Sequence, residues 1–232
     1  MNDLYWHESP EEQEYDVSDE VMDLSFKLIG SSIPVDHAYV LSQTLAEVMP
    51  WLAEEPEAGV HLIHVANSAN GWQRPENPND LLHLSRRARL TLRLPKHRLA
   101  EAAQLKGETL NMSLGKLTLG DTSRKKLSKL TTVFSRYIEA DREQNEDEFL
   151  QSVVSRLGAM DIKVRKMLSG LSHRFETPQG PLFTRSLMLA DLDVKESVRL
   201  QRLGLGGGRK IGFGLFIPHK GIEAVNKTQQ MK

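Results

Sequence analysis

The sequence predicts an α+β protein in which one element order, strand–helix–strand–strand–helix–strand, occurs twice. Two observations lead there. Apolar residues recur at period two in short segments and at helical spacing between them. The order of these segments in the first half of the chain is then repeated in the second.

Val21–Ile29 opens the first half. Met22, Leu24, Phe26 and Leu28 share one face and Asp23, Ser25 and Lys27 the other, the pattern of a half-buried strand. Gly30-Ser31-Ser32 ends it. Pro34 suits a first helical position and Asp36 the first turn, where the helix dipole favours an anion. Ala38, Leu41, Leu45, Val48 and Leu52 follow at helical spacing. Residues 59–66 read as a short apolar strand, and 67–83, rich in Asn, Pro and Gly, as a long loop. Next, Ala88, Leu90, Leu92 and Leu94 alternate with Arg87, Arg89, Thr91 and Arg93. Pro95 ends that strand and starts a helix over 96–106 that stops at Gly107. Leu110, Met112, Leu114, Leu117 and Leu119 predict a strand or hairpin.

A basic connector (Arg124, Lys125, Lys126, Lys129) leads into the second half. Thr132–Ile138 is a strand; Asn145 and Glu148 are spaced as a capping box, and Phe149, Val153 and Leu157 form a helical stripe ended by Gly158. Residues 162–175 and 182–190 read as strands joined at Thr177-Pro178-Gln179-Gly180. Asp193 and Glu196 cap a helix that runs to Gly204, and Ile211, Phe213, Leu215 and Ile217 alternate as a last strand stopped by Pro218. The order β-α-β-β-α-β, read twice, predicts two tandem ferredoxin-like (RRM-like) units, antiparallel sheets with helices on one face. The expected organisation is an acidic N-terminal tail at 1–16, an N-terminal unit at 17–128, a C-terminal unit at 129–220 and a C-terminal tail at 221–232.

Composition narrows the chemistry. With no cysteine, disulfides, thiolate zinc sites and cysteine nucleophiles are excluded. The N-terminus lacks the basic and apolar regions of a secretory signal, and no apolar run approaches a membrane span of about 20 residues; the expected setting is cytoplasmic, without a membrane partner. Residues 1–20 hold eight acids and no Lys or Arg, which leaves twenty-three acids against thirty bases in the rest of the chain. A body with that surplus suits a polyanionic partner, while the acidic arm reads as a solvated tail.

Two features point to nucleic acid. Arg87, Arg89 and Arg93 fall on the sheet face that the helices of such a unit leave open. That is an RNA surface, or an ordinary solvated strand face. The second feature is the run from Gly204 to Phe216, GLGGGRKIGFGLF. It leaves a helix and enters a strand, the reverse of a dinucleotide fingerprint, and no glycine in it precedes a lysine as a P-loop requires. What remains is a backbone that passes close to a partner, with Gly206 and Gly208 exposing N–H groups and Arg209 and Lys210 as anion contacts.

Gly204-Leu205-Gly206, five residues with two bases, then Gly212-Phe213-Gly214 resembles the glycine-rich loop of the CRISPR-associated RAMP superfamily. With the stretches DLSFKLIGSSIPVDHAYVLSQTL, LSRRARLTLRLP and LQRLGLGGGRKIGFGLFIP, the chain resembles that superfamily's repeat-RNA processing endoribonucleases, the Cas-six family, in its MYXAN-type branch, over residues 21–220. The resemblance implies an endoribonuclease that binds CRISPR repeat RNA and cuts precursor crRNA without a metal or other cofactor. The 2′-hydroxyl attacks the adjacent phosphate and leaves a 2′,3′-cyclic phosphate. It also implies RNA contacts at Arg87, Arg89, Arg93, Lys125, Lys126, Gly206, Gly208, Arg209 and Lys210, and other CRISPR effector subunits as further partners. A non-catalytic RAMP-type subunit that holds crRNA fits the same features.

The cut needs a general base and a general acid, and histidine serves near neutral pH. Of eight histidines, His37 stands out by position, beside the apolar stripe at the start of the first helix. Position alone makes it a cap or packing residue; the resemblance implies that it is catalytic, with Tyr39 and Ser32 beside it.

Overall fold

A computed structural model describes residues 15–65, 77, 80–112 and 115–220. In the first unit Val21–Ile29 forms β1, Ser32–Pro34 β2, Ala38–Val48 α1, Gly59–His61 β3 and Leu81–His83 β4. Arg89–Pro95 forms β5, Leu99–Ala103 α2, Thr109–Met112 β6 and Gly115–Lys126 β7. The sheet order β3-β5-β1-β7-β6 is antiparallel throughout. The register sets Leu24 opposite Leu92 and Phe26 opposite Leu90, so the alternation of two strands adds into one apolar face. That face buries Leu24, Phe26, Leu90 and Leu92 against Leu41 and Leu45 of α1 and Leu99 of α2.

In the second unit Val133–Glu139 forms β8, Glu146–Gly158 α3, Lys166–Phe175 β9, Leu182–Ala190 β10, Val194–Leu203 α4 and Ile217–Pro218 β11. Its sheet order is β11-β8-β10-β9. The two units share the ferredoxin-like plan the sequence predicts. Both capping boxes form: Asn145 accepts from the Glu148 N–H while Glu148 accepts from that of Asn145, and Asp193 and Glu196 do the same for α4. Although burial pushes Glu196 up, the N–H groups of Lys163 and Asp193 and the Arg165 guanidinium bring its carboxyl down to about 2. Val133, Ile138, Val153, Leu157, Leu187 and Leu200 make the second core. Among the described residues no helix is long and apolar enough to cross a membrane.

Five local expectations need correction. Pro34 does not open the first helix. It ends β2, which pairs with Leu81–His83 inside the segment expected to be a loop, and the helix starts at Ala38 with His37 as its N-cap. The helix expected over 96–106 is a short 3₁₀ turn at Lys96–Arg98 followed by a five-residue α2. Arg124, Lys125 and Lys126 are not a connector but the end of β7, paired with β1. Most of the last strand does not form. Only Ile217 and Pro218 pair with β8, because the chain turns at Gly212 and Gly214, whose φ values are 98° and 70°. Finally, the last two residues of the expected tail contact the body: Tyr15 packs on Val17, Leu127 and Val198, and Asp16 pairs with Lys126. Residues 1–14 of the expected tail, and 221–232, lie outside the described residues.

Candidate functional site

The second unit turns the helix-free face of its sheet toward the first, and an extra residue in β8, which advances three positions where β10 advances two, decides what that face carries. Ser135 stands opposite Leu187, but the register shifts before Arg185, which stands opposite Ile138. The shift puts Ile138 with the helices and Tyr137 with the first unit's core. Tyr137 meets Phe175 edge-on at 5.0 Å, and Phe213 packs on Phe175 at 4.9 Å. Two half-buried histidines complete this cluster. His64, just past β3, stacks on Tyr137 at 5.8 Å, and His173 of β9 meets the same ring edge-on at 5.1 Å. No local pattern in the sequence links His64, Tyr137 and His173; the register shift and the docking of the units bring them together.

His37 lies beside this cluster, against the Ile63 backbone, and is only 2% exposed. Its Nδ1 is 3.0 Å from the Pro34 carbonyl and 3.2 Å from that of Val35. Carbonyls only accept, so Nδ1 carries the proton. Nε2 accepts from the Ile63 N–H at 3.1 Å. The ring is therefore neutral, with its proton and its lone pair both engaged by backbone, and in this arrangement it has neither to offer a substrate. Ser32 in β2 and Tyr39 in α1 sit on different elements on either side of it. Next to His37, burial pushes the Asp36 carboxyl up. Its Oδ2 accepts from the Glu176 N–H at 2.7 Å across the units, and its buried Oδ1 has no hydrogen-bond partner among the described residues.

The glycine loop departs from its expected role. Arg209 is buried, and its guanidinium donates to the carbonyls of Glu57 and Ala58 in the first unit and of Arg202 and Leu203 at the end of α4. Lys210 donates to the carbonyls of Glu55 and Ala58. Burial, then the neighbouring Arg209 charge, bring the Lys210 ammonium down to about 8. Both cations thus fasten the loop to residues 55–58, and neither is presented to a phosphate. At the exposed tip the Gly207 N–H donates to the Glu139 carboxylate at 3.0 Å, with Gly206 and Gly208 packed beside it. The loop does bind an anion, but it is the protein's own.

Two glycines close the loop on itself. Leu205 N–H donates to Gly214 O, and Gly214 N–H to Tyr137 O at 2.7 Å. A Cβ on Gly214, at φ 70°, falls 2.5 Å from Leu205 O, and one on Gly204, at φ 71°, falls 2.6 Å from Gly214 O. Gly214→Ala is expected to cost about 1–3 kcal/mol, read from the denaturant midpoint. Gly158→Ala, where a Cβ meets nothing within 4 Å, should be neutral or stabilise by up to about 1 kcal/mol.

The arginines of β5 divide. Arg87 is exposed just before the strand, and Arg89 bonds back to the carbonyls of Arg86 and Ala88. Arg93 is not on an open face. It is 0% exposed, paired with Asp23 at 2.8 Å, and donates to the carbonyls of Gln201 and Phe216 in the second unit. The second unit covers that end of the sheet, so Arg93 joins the units. On the other side of β1, Arg124, Lys125 and Lys126 are all exposed on β7, with Lys126 paired to Asp16 at 3.3 Å.

Tandem ferredoxin-like units with a glycine loop folded back between them define an α+β protein of two-unit ferredoxin-like fold. The same fold recurs in a solved RAMP protein described as binding different RNA substrates (TM-score 0.57, 15% identity, 86% of this chain and 100% of that one). It recurs in a Cas6-related protein from Pyrococcus furiosus (TM-score 0.57, 14% identity, 84% and 97% covered). Residues 22–221 match the Cas6 CRISPR family model, and the chain belongs to the Cas6 family. A curated relative, the CRISPR-associated endonuclease Cas6 of Myxococcus xanthus (strain DK1622), is 27% identical over 197 residues, 85% of this chain and 81% of its own length.

Proposed function

We propose that this protein is a metal-independent endoribonuclease that binds CRISPR repeat RNA and cuts precursor crRNA by attack of a 2′-hydroxyl, leaving a 2′,3′-cyclic phosphate and a 5′-hydroxyl. Its family membership across residues 22–221 is the observation that carries this reading, and the relative named an endonuclease supports it. The chemistry needs two proton-transfer groups, which histidines supply near neutral pH. The exposed cations of β7, with Arg87 toward the other end of the same sheet, are the proposed grip on the phosphate backbone. Arg209, Lys210 and Arg93 contribute by holding the units in register.

The test is incubation with the cognate repeat RNA in EDTA. Cutting that persists and leaves a 2′,3′-cyclic end is expected; loss of cutting in EDTA counts against the metal-free step. Replacing Arg124 and Lys125 by glutamine should weaken RNA binding and flatten its salt dependence, each lost phosphate contact lowering the log–log slope by about 0.7–0.9. An unchanged slope would remove β7 from the interface.

A second reading, a subunit that holds crRNA without cutting it, is favoured by one observation: both ring nitrogens of His37 are held by backbone. Tight binding of the repeat with no product in any buffer would establish it.

A further inference from the structure

We infer that His64 and His173, which meet on Tyr137 where the two units join, are a proton-transfer pair, one taking the proton of the attacking 2′-hydroxyl and the other giving a proton to the departing 5′-oxygen. The inference rests on the endoribonuclease reading and names the groups that act in it.

Three observations support the pair. First, the imidazoles come from different units yet lie on one ring: His64 stacks on Tyr137 with an interplanar angle of 25°, and His173 meets it at 79°. Second, that ring is fixed. Tyr137 is 6% exposed and braced by Phe175 and Phe213, while both histidines remain half-buried. A packed aromatic floor with titratable groups at its rim holds reacting groups in place without further ordering. Third, His37 fixes the backbone beside one member of the pair, because its Nε2 holds the N–H of Ile63. The buried histidine of α1 is then a positioning residue for the next residue along. Charged groups near the pair include Asp36, which accepts from the Glu176 N–H, and Arg174, next to His173 and paired with Glu176 at 2.8 Å.

In the step, the basic imidazole nitrogen takes the 2′-hydroxyl proton as O2′ forms its bond to phosphorus. The P–O5′ bond breaks, its electron pair stays on O5′, and the second imidazolium supplies the proton that makes the 5′-hydroxyl. Nothing is oxidised or reduced. The first ring leaves protonated and the second neutral, and exchange with water resets them.

The experiment compares wild type with His64→Ala and His173→Ala on repeat RNA, with RNA affinity measured alongside. Each variant should lose about 10²–10⁴-fold in cutting rate while affinity changes by less than about threefold. A second substrate carries sulfur in place of the bridging 5′-oxygen at the scissile phosphate. A thiolate leaves without a proton, so the variant lacking the acid should cut it at close to the wild-type rate, and the variant lacking the base should stay slow. That rescue is one a merely structural loss would not produce, and His64→Gln and His173→Asn repeat the comparison with closer shape. Three results overturn the pair: both variants cutting ordinary RNA at near wild-type rate, loss of cutting in step with loss of binding, or no variant rescued by sulfur. Wild type that binds the repeat and never cuts it overturns the endoribonuclease reading and the pair together. Wild type that cuts, with the variants unaffected, overturns only the pair.

Discussion

Arg93→Met should lower the unfolding free energy by about 3–5 kcal/mol, the cost of breaking a buried ion pair from one side. Denaturant titration at neutral pH measures it. Arg93 is fully buried; it pairs with Asp23 and satisfies two carbonyls of the second unit. Without it Asp23 is a half-buried carboxylate left beside His61, whose Nε2 lies 3.8 Å away. The double variant Asp23→Asn/Arg93→Met should recover part of the loss, because it removes the stranded charge. The effect also has a pH signature. Burial pushes the Asp23 carboxyl up, but Arg93 and His61 together hold it well below the usual carboxylate range. A depressed folded value means that the pair's contribution is full above the ordinary carboxylate value of about 3.9 and is lost as pH falls below it. The stability gap between wild type and Arg93→Met should therefore narrow below about pH 4. A loss under about 1 kcal/mol at neutral pH, the level of a surface pair, would show that Arg93 does not join the units.

His37 yields the second large effect, and the expected pattern separates positioning from proton transfer. His37→Ala leaves the Ile63 N–H and the Pro34 carbonyl unpaired in a buried site, about 1–3 kcal/mol for each stranded group. On the endoribonuclease reading it also slows cutting by about 10²-fold, the effect of a displacement near 1 Å, because the chain that carries His64 is released. His37→Gln offers an acceptor to the Ile63 N–H and should recover most of that rate. If His37 itself moved the proton, glutamine and alanine would be equally inactive. Single-turnover rates on repeat RNA decide between them.

Local order was legible wherever one residue's neighbours in sequence are also its neighbours in space. The alternation of β1 and the two capping boxes are of this kind. So is the glycine spacing before the last strand, which pointed to the family. What the sequence concealed depends on partners far along the chain. Pro34 looked like a helix start because its strand partner, Leu81, belongs to a segment with no strand signal. The alternation of Phe213, Leu215 and Ile217 looked like a strand, yet the glycines between them turn it into a packed coil. Arg93, Arg209 and Lys210 read as ligands for an anion, since a cation in a sequence does not show which carbonyls will meet it. For the candidate site the same limit was sharper: His37 has a recognisable place in α1, whereas His64 and His173 acquire theirs only through Tyr137 and the docking of the two units.

The ties of Arg209 and Lys210 bear on synthesis. The carbonyls of Glu55, Glu57 and Ala58 are made early and find these cations only about 150 residues later, about 8–30 s of elongation. A nascent first unit therefore emerges with that edge, and the carboxylate of Asp23, turned to water. The wall that carries Tyr137 and His173 arrives and is fastened only when the glycine loop has left the ribosome. A ribosome stalled before that point displays a first unit without Tyr137's clasp to Gly214. Any step that needs both units thus waits until the glycine loop has emerged.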